Sequence, residues 1–458
     1  MIARVRAFLL PIIGGIVAAT AFTASPLTVV AIPLAWIVVV RAGRGLPADE
    51  QRALVTLLAT AFAARVAAIA VLFLAGLPGH SDASVGGLSG DDAYYFSRAI
   101  RARDLILGFA AGKYDYFVVS DEYGQTSYLR LLTWLQVIAG PTPYGMRVVN
   151  ALMFITGSAL MFRTVRTGFG ATAAFTGLAV LLFLPSLFFW SISLLKESMF
   201  FLLTAILIAS VARLLRGSAA PIPLAVMSVV CFWLLDDLRR GGFALAAAGI
   251  ALGLAARFVF GRVTGLAMAG ALAALLAVAA ISSEAVRARA IASVTAAAQV
   301  HAGNVFTIGH AYKLLDEGFY MFPGTPSGFT EAQSARFVAR AAASFVLTPL
   351  PWQIASRGEL ALLPEHLLWY LMVVLAPIGA VAGWKRDPLL ACLLIGYALP
   401  TAAAVAVTNG NVGTLLRLRA LVTPQLVWIS TLGLLSVIAT LQQRSIAYRL
   451  PLQQGATR

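Results

Sequence analysis

Residues 53–77, ALVTLLATAFAARVAAIAVLFLAGL, decide the fold. A helix rises about 1.5 Å per residue, so roughly 20 apolar residues cross the hydrocarbon layer of a bilayer. This run is long enough and carries one charge, Arg65. It reads as a membrane span. Arg65 lies at its middle and is expected to face the interior of a helix bundle, because lipid offers a guanidinium no partner. A short polar stretch follows, and then Gly90-Asp91-Asp92-Ala93-Tyr94-Tyr95-Phe96-Ser97.

The whole chain repeats the pattern. Of its 458 residues, 60% are hydrophobic and 12% charged, with a mean hydropathy of +0.87. Soluble domains are about 25% charged. The chain is therefore an integral membrane protein, and ten-residue alternating segments of a barrel are absent. A net charge of +15 raises nucleic acid as a partner. Its distribution argues against that, because the basic residues sit in short clusters between apolar blocks. Cys231 and Cys392 lie in apolar runs and form no disulfide framework.

The apolar blocks predict an all-α polytopic protein of about 12 transmembrane helices. They fall near 7–24, 27–41, 53–77, 145–162, 171–189, 195–213, 219–235, 243–257, 263–281, 364–383, 388–406 and 420–441. Arg4 and Arg6 precede the first, and Ala19-Thr20-Ala21 also resembles a signal-peptidase site. An uncleaved hairpin over 1–52 is the favoured reading. A core over 53–281 follows, with a loop at 78–126. Next come a partly helical segment at 282–363, C-terminal spans over 364–441 and a basic tail at 442–458. The run 127–139 is too short to span and reads as an interfacial or re-entrant helix.

Alternating the spans puts both termini on the cytoplasmic side. The basic clusters Arg4/Arg6, Arg41/Arg44/Arg52, Arg163/Arg166, Arg213/Arg216, Arg257/Arg262, Lys385/Arg386 and Arg444/Arg449/Arg458 all fall there. The only acids beside them are Asp49, Glu50 and Asp387. Loops 78–126 and 282–363 are then extracytoplasmic.

Four stretches on that face carry polar chemistry. In the first, Asp92, Tyr95, Phe96 and Ala99 share one helical face, on an amphipathic helix expected to lie on the membrane. Asp91 and Asp92 suit a helix N-terminus, so the pair reads either as capping acids or as an acid/base centre. In the second, Pro185 to Ser198, Lys196 and Glu197 open a span; the alternatives are a snorkelling lysine beside a solvated acid, or a polar cavity. The third, Asp236-Asp237-Leu238-Arg239-Arg240-Gly241-Gly242, is either a self-neutralised turn or a phosphate or sugar contact through Arg239 or Arg240. The fourth, Asn409 to Arg419, reads as a flexible glycine loop beside Arg417 and Arg419, which are suited to phosphate or to interfacial anchoring. His80, His301, His310 and His366 are scattered without metal-ligand spacing, and no phosphate loop for a nucleotide is present.

Together these stretches resemble the membrane-embedded GT-C-type glycosyltransferases, nearest to the bacterial family 39-like, polyprenyl-phosphate-sugar-dependent enzymes. Asp91-Asp92-Ala93-Tyr94-Tyr95 resembles the family's acidic pair with a Tyr three residues on. Pro185 to Glu197 resembles its Pro-Ser…Trp-Ser…Lys-acid stretch. Pro349-Leu350-Pro351-Trp352, Pro364-Glu365 with Trp369-Tyr370, and Gly413 to Arg419 with Pro424 complete the likeness, which covers roughly 53–440. Two extra apolar runs before the first loop depart from the family's pattern.

The resemblance implies a GT-C-like fold in a bacterial inner or plasma membrane, with the active site outside. It implies transfer from a polyprenyl-phosphate-linked sugar to a hydroxyl of a glycan, lipid or protein acceptor, with inversion, in cell-envelope synthesis. Asp91 would be the general base and Asp92 its support. Arg417 or Arg419 would hold the donor phosphate, with Arg239, Arg240 and Lys196 as further contacts. Glu197 would position the sugar or a basic side chain, and aromatics such as Tyr94, Tyr95 and Trp190 would stack on the sugar or the prenyl chain. No cofactor is expected, although Asp91 and Asp92 are the place for a divalent metal in relatives that use one. The rival readings are a polymerase or ligase using polyprenyl-diphosphate oligosaccharides, and a lipid or solute transporter.

Overall fold

A computed structural model describes residues 25–76, 90–109, 112–121, 125–261, 263–307, 309–321 and 328–455. Regular structure among them is helical, apart from an isolated bridge between Ala311 and Asn411. Nine of the described helices are long and apolar enough to cross a bilayer, or ten if one bent pair is a single span. Twelve spans were expected. The block at 7–24 and His80 lie outside the described residues, and the block at 263–281 is helical without being one of the nine.

The chain divides into two compact units, Met1–Thr164 with Leu178–Phe243, and Val165–Gly177 with Ala244–Arg458. The division cuts the expected 53–281 core. Apolar runs mark where helices cross a membrane, but side-chain fit decides which of them pack together.

The first unit is built from α1 (Pro26–Gly43), α2 (Ala48–Gly76), α3 (Gly90–Ile106), α4 (Lys113–Ser120), α5 (Ser127–Ala139), α6 (Pro143–Phe169), α7 (Ala171–Phe183), α8 (Pro185–Ile192), α9 (Glu197–Leu215) and α10 (Pro221–Leu238); α6 and α7 run across the division. Proline opens α1, α8 and α10, where its missing N–H costs no helical bond. The expected short helix at 127–139 is α5, capped by Thr126, whose hydroxyl accepts from Leu129 N. It packs on α3. Arg98 ties α4 to α3 through two bonds to the Asp121 carboxylate, at 2.6 and 2.9 Å.

Arg65 faces inward, as expected, and is fully buried. Pro185 has no N–H to continue a helix, and α8 leaves α7 at 59°. The break turns the Leu182 carbonyl to Arg65, whose Nη2 donates to it at 2.8 Å. Nε donates to Ser191 Oγ at 2.8 Å and Nη1 to Ala61 O at 3.1 Å. Phe154 and Phe188 sandwich the guanidinium at 4.8 and 4.7 Å.

The second unit holds α11 (Gly242–Gly261), α12 (Val263–Ser282), α13 (Glu284–Val305), α14 (Gly318–Met321), α15 (Glu331–Leu347), α16 (Arg357–Ala361), α17 (Leu363–Arg386), α18 (Pro388–Thr408), α19 (Val412–Arg419) and α20 (Thr423–Gly455). The segment 282–363, expected to be partly helical, contains α15, opened by a Thr330–Gln333 capping box. Small residues let its spans meet at backbone distance. Gly249 and Gly253, one turn apart on α11, face Gly396 of α18, and a Cβ on Gly396 would lie 2.5 Å from Gly253 N. Gly379 of α17 and Gly433 of α20 meet in the same way. Gly396→Leu is expected to force α11 and α18 apart and lower the thermal midpoint of the detergent-purified protein. Gly303→Ala is the control, since a Cβ there meets nothing within 4 Å, and should leave the midpoint unchanged or raise it.

Candidate active site

Asp91 and Asp92 occupy the first turn of α3, where the helix dipole favours carboxylates. The expected shared face exists. Asp92 and Ala99 are fully buried, Phe96 nearly so, and Tyr95 half-buried. α5 packs against α3.

Asp92 is held at both oxygens. Oδ2 accepts from Arg147 Nη2 at 2.6 Å, and Oδ1 accepts from the backbone N–H of Leu194 at 2.7 Å. Residues 193–196 are the non-helical link between α8 and α9. Irregular backbone between spans must find its partners within the protein. Asn150 supplies two more, its Nδ2 donating to Ser193 O at 2.6 Å and to Leu195 O at 3.2 Å. Arg147 and Asn150 are three residues apart on α6, so they share a face toward this link. Asp91, by contrast, is exposed.

The link ends at Lys196 and Glu197. Lys196 Nζ donates to Leu238 O at 2.9 Å, a cation on the last carbonyls of α10. Glu197 opens α9 and is buried. Arg239 is half-buried and close enough to act electrostatically on Lys196, Glu197 and Tyr95, while Arg240 is exposed. Burial, reinforced by Glu197, pushes the Tyr95 phenol well above its usual range. Tyr95 therefore stays protonated at neutral pH. Its ring meets Tyr94 and Tyr128 edge-on, at 5.6 and 5.5 Å between centroids.

The Asp-Asp-Leu-Arg-Arg turn is not merely self-neutralised. Asp236 accepts from Phe243 N at 3.1 Å and closes the turn, which Gly241 enters at φ +83°. Asp237 accepts from Ser127 N and pins the start of α5.

The fourth stretch lies in the second unit and is packed rather than flexible. Asn409 and Asn411 are buried, and a Cβ on Gly410 would meet His301 O at 2.6 Å. The backbone is bonded too. Tyr312 N donates to Gly410 O at 2.9 Å, Val412 N to His310 O at 2.8 Å, and Thr414 N to the Asn411 side chain at 3.2 Å. The Val412 and Thr414 N–H groups are thereby engaged within the fold.

Arg419 likewise has a different task from the expected one. It is buried, its Nε donates to Phe345 O at 2.9 Å, and its Nη2 donates to Thr348 O at 2.6 Å. Nη1 lies 3.3 Å from His366 Nε2, and Trp369 stacks on the guanidinium at 4.9 Å. Arg419 thus caps the C-terminal carbonyls of α15. Burial lowers its pKa to about 10, which leaves it charged at neutral pH. Arg417 is partly buried beside it.

Among the other singled-out residues, Cys231 and Cys392 are buried free thiols. His301 and His366 are buried, and His310 pairs with Glu359 at 3.1 Å. Each Asp92 oxygen accepts a hydrogen bond from within the protein, and Asp91 is exposed. Among the described residues no three His, Cys, Asp or Glu side chains converge as metal ligands.

Sequence reasoning missed Arg147, Asn150 and Tyr128. Arg147 had a signal, since it lies inside the expected block 145–162 and is an intramembrane charge like Arg65. Asn150 follows it by three positions. Tyr128 had none, being one aromatic in an apolar helix.

An all-α polytopic membrane protein is the class that these helices define, with a cluster of acids, arginines and phenols gathered where α3, α5, α6 and the 193–197 link meet. No family model, curated protein or solved structure matches the chain.

Proposed function

We propose that the protein is a membrane glycosyltransferase that moves a sugar from a polyprenyl-phosphate donor to an acceptor hydroxyl on the extracytoplasmic face. The observation that carries the reading is the contrast within the acidic pair. Asp92 is fixed by Arg147 and Leu194 N, and so positions an exposed neighbour, Asp91, at the start of α3. Asp91 takes the acceptor proton as the acceptor oxygen bonds to the anomeric carbon. The bond from that carbon to the phosphate oxygen breaks, and polyprenyl phosphate leaves with the electron pair. A single displacement inverts the anomeric centre. Arg239, which acts electrostatically on Tyr95 and Glu197, is the cation for the developing phosphate charge, with Lys196 and Arg240 in the same stretches.

The test is a transfer assay with purified protein and a panel of polyprenyl-phosphate sugars. Diphosphate-linked oligosaccharides in the same panel address the polymerase or ligase reading, and turnover of those alone would replace the present proposal. The bent α7–α8 pair favours a second reading, since broken spans also build transporter sites. Lipid or sugar movement across proteoliposomes without any glycosyl transfer would establish it.

A further inference from the structure

We propose that the Tyr128 hydroxyl is the inner hydrogen-bonding group of a subsite for a neutral, polyhydroxylated ligand, shared with Tyr95 and Glu197. This rests on the glycosyl-transfer reading for the ligand's identity as the donor sugar, but not for its chemistry.

Tyr128 is fully buried, and its hydroxyl has no hydrogen-bond partner among the described residues. Among the described residues the buried Tyr312 hydroxyl also lacks a partner, whereas two further phenols are satisfied. The Tyr320 hydroxyl meets His301 Nε2 at 2.9 Å and accepts from Leu314 N at 3.1 Å, and the Tyr370 hydroxyl donates to Leu347 O at 2.8 Å. A buried hydroxyl without a partner is disfavoured, and phenylalanine would fill the same space without one. A hydroxyl-bearing ligand from outside the chain would supply that partner.

Its surroundings define that partner. Asp92, Tyr95, Glu197 and Arg147 are the ionisable neighbours that act on Tyr128. Asp92 and Arg147 neutralise each other. Arg239 and Lys196 stand beside Glu197. A cationic ligand would meet those basic groups and an anionic one the two carboxylates, so a neutral ligand fits best. Two phenols that both donate and accept, with a carboxylate that accepts, match vicinal hydroxyls.

The way in is also marked. Tyr94, exposed, meets Tyr95 edge-on, and Tyr95 meets Tyr128 in the same way, giving three phenol rings from surface to interior. Ligand entry turns the half-buried Tyr95 ring aside. The inner ring is held from behind, since α5 is pinned at Ser127 N by Asp237.

Two measurements test this. The first compares wild type with Tyr128→Phe across a donor and its monodeoxy analogues. A site that binds a substrate hydroxyl rejects the analogue lacking it. Wild type should lose about tenfold in kcat/KM on one deoxy donor, the worth of one hydrogen bond; the variant should lose a similar factor on the parent donor and nothing further on that analogue. Its thermal midpoint should not fall. The second follows binding of methyl hexosides and pentosides to protein in lipid nanodiscs by saturation-transfer NMR. Wild type should bind at least one glycoside about tenfold more tightly than Tyr128→Phe. Equal behaviour of the two proteins in both measurements, or no glycoside binding by wild type, overturns the subsite. Differential glycoside binding without any transfer keeps the subsite and overturns the glycosyl-transfer reading alone.

Discussion

Arg147→Ala is expected to yield little folded protein. The change leaves the Asp92 carboxylate buried beside the 193–196 link without its cation. Breaking a buried ion pair by removing one partner costs about 3–5 kcal/mol. Net stabilities are only about 5–15 kcal/mol. The loss should show in size-exclusion profiles and in a fall of the thermal midpoint in detergent. The double variant Arg147→Met with Asp92→Asn tests the cause. Asparagine can still accept from Leu194 N through its side-chain carbonyl, and no charge is left buried. Substantial recovery of folded protein is therefore expected. If the double variant folds no better than Arg147→Ala, the ion pair is not what holds the link.

Asp91→Asn is expected to do the opposite: fold normally and fail to turn over. Asp91 is exposed, so the substitution buries no new group and its thermal midpoint should match wild type. A general base contributes about 10²–10⁴-fold to rate, and transfer should fall by that factor with little change in donor KM. Full activity in the folded variant would remove Asp91 as the base. Asp92→Asn is the internal comparison. It should weaken the bond to Arg147 and lower stability, so the adjacent carboxylates are separated by which observable moves.

Much of the architecture was legible in the sequence. Residues 53–77, the other apolar blocks and the short run 127–139 are local signals. They act through the length of consecutive apolar residues, so they can be read along the chain. The inward-facing Arg65 was legible for the same reason, since an isolated span offers a central guanidinium no partner. What it would bond was not, because Leu182 O becomes available only where Pro185 bends α8 away from α7.

The site was legible in part. Composition and position marked Asp91, Asp92, Lys196, Glu197 and Arg239, but gave every carboxylate and every arginine the same standing. Arg417 and Arg419 looked alike in the sequence. Packing spent Arg419 on carbonyls of α15, residues more than seventy positions away, and turned the glycine loop before it into buried structure.

The sequence by itself determined that this is a helical membrane protein, where most of its spans lie, and which stretches between them carry charge. Hydrophobic length and charge distribution are properties of consecutive residues. Tertiary structure decided that Asp92 is a buried strut and Asp91 an exposed carboxylate, although the two are neighbours in the chain. That difference depends on Arg147 and Leu194 N reaching one side of α3. Both lie far along the chain, and only the packing of α6 and the 193–197 link brings them there.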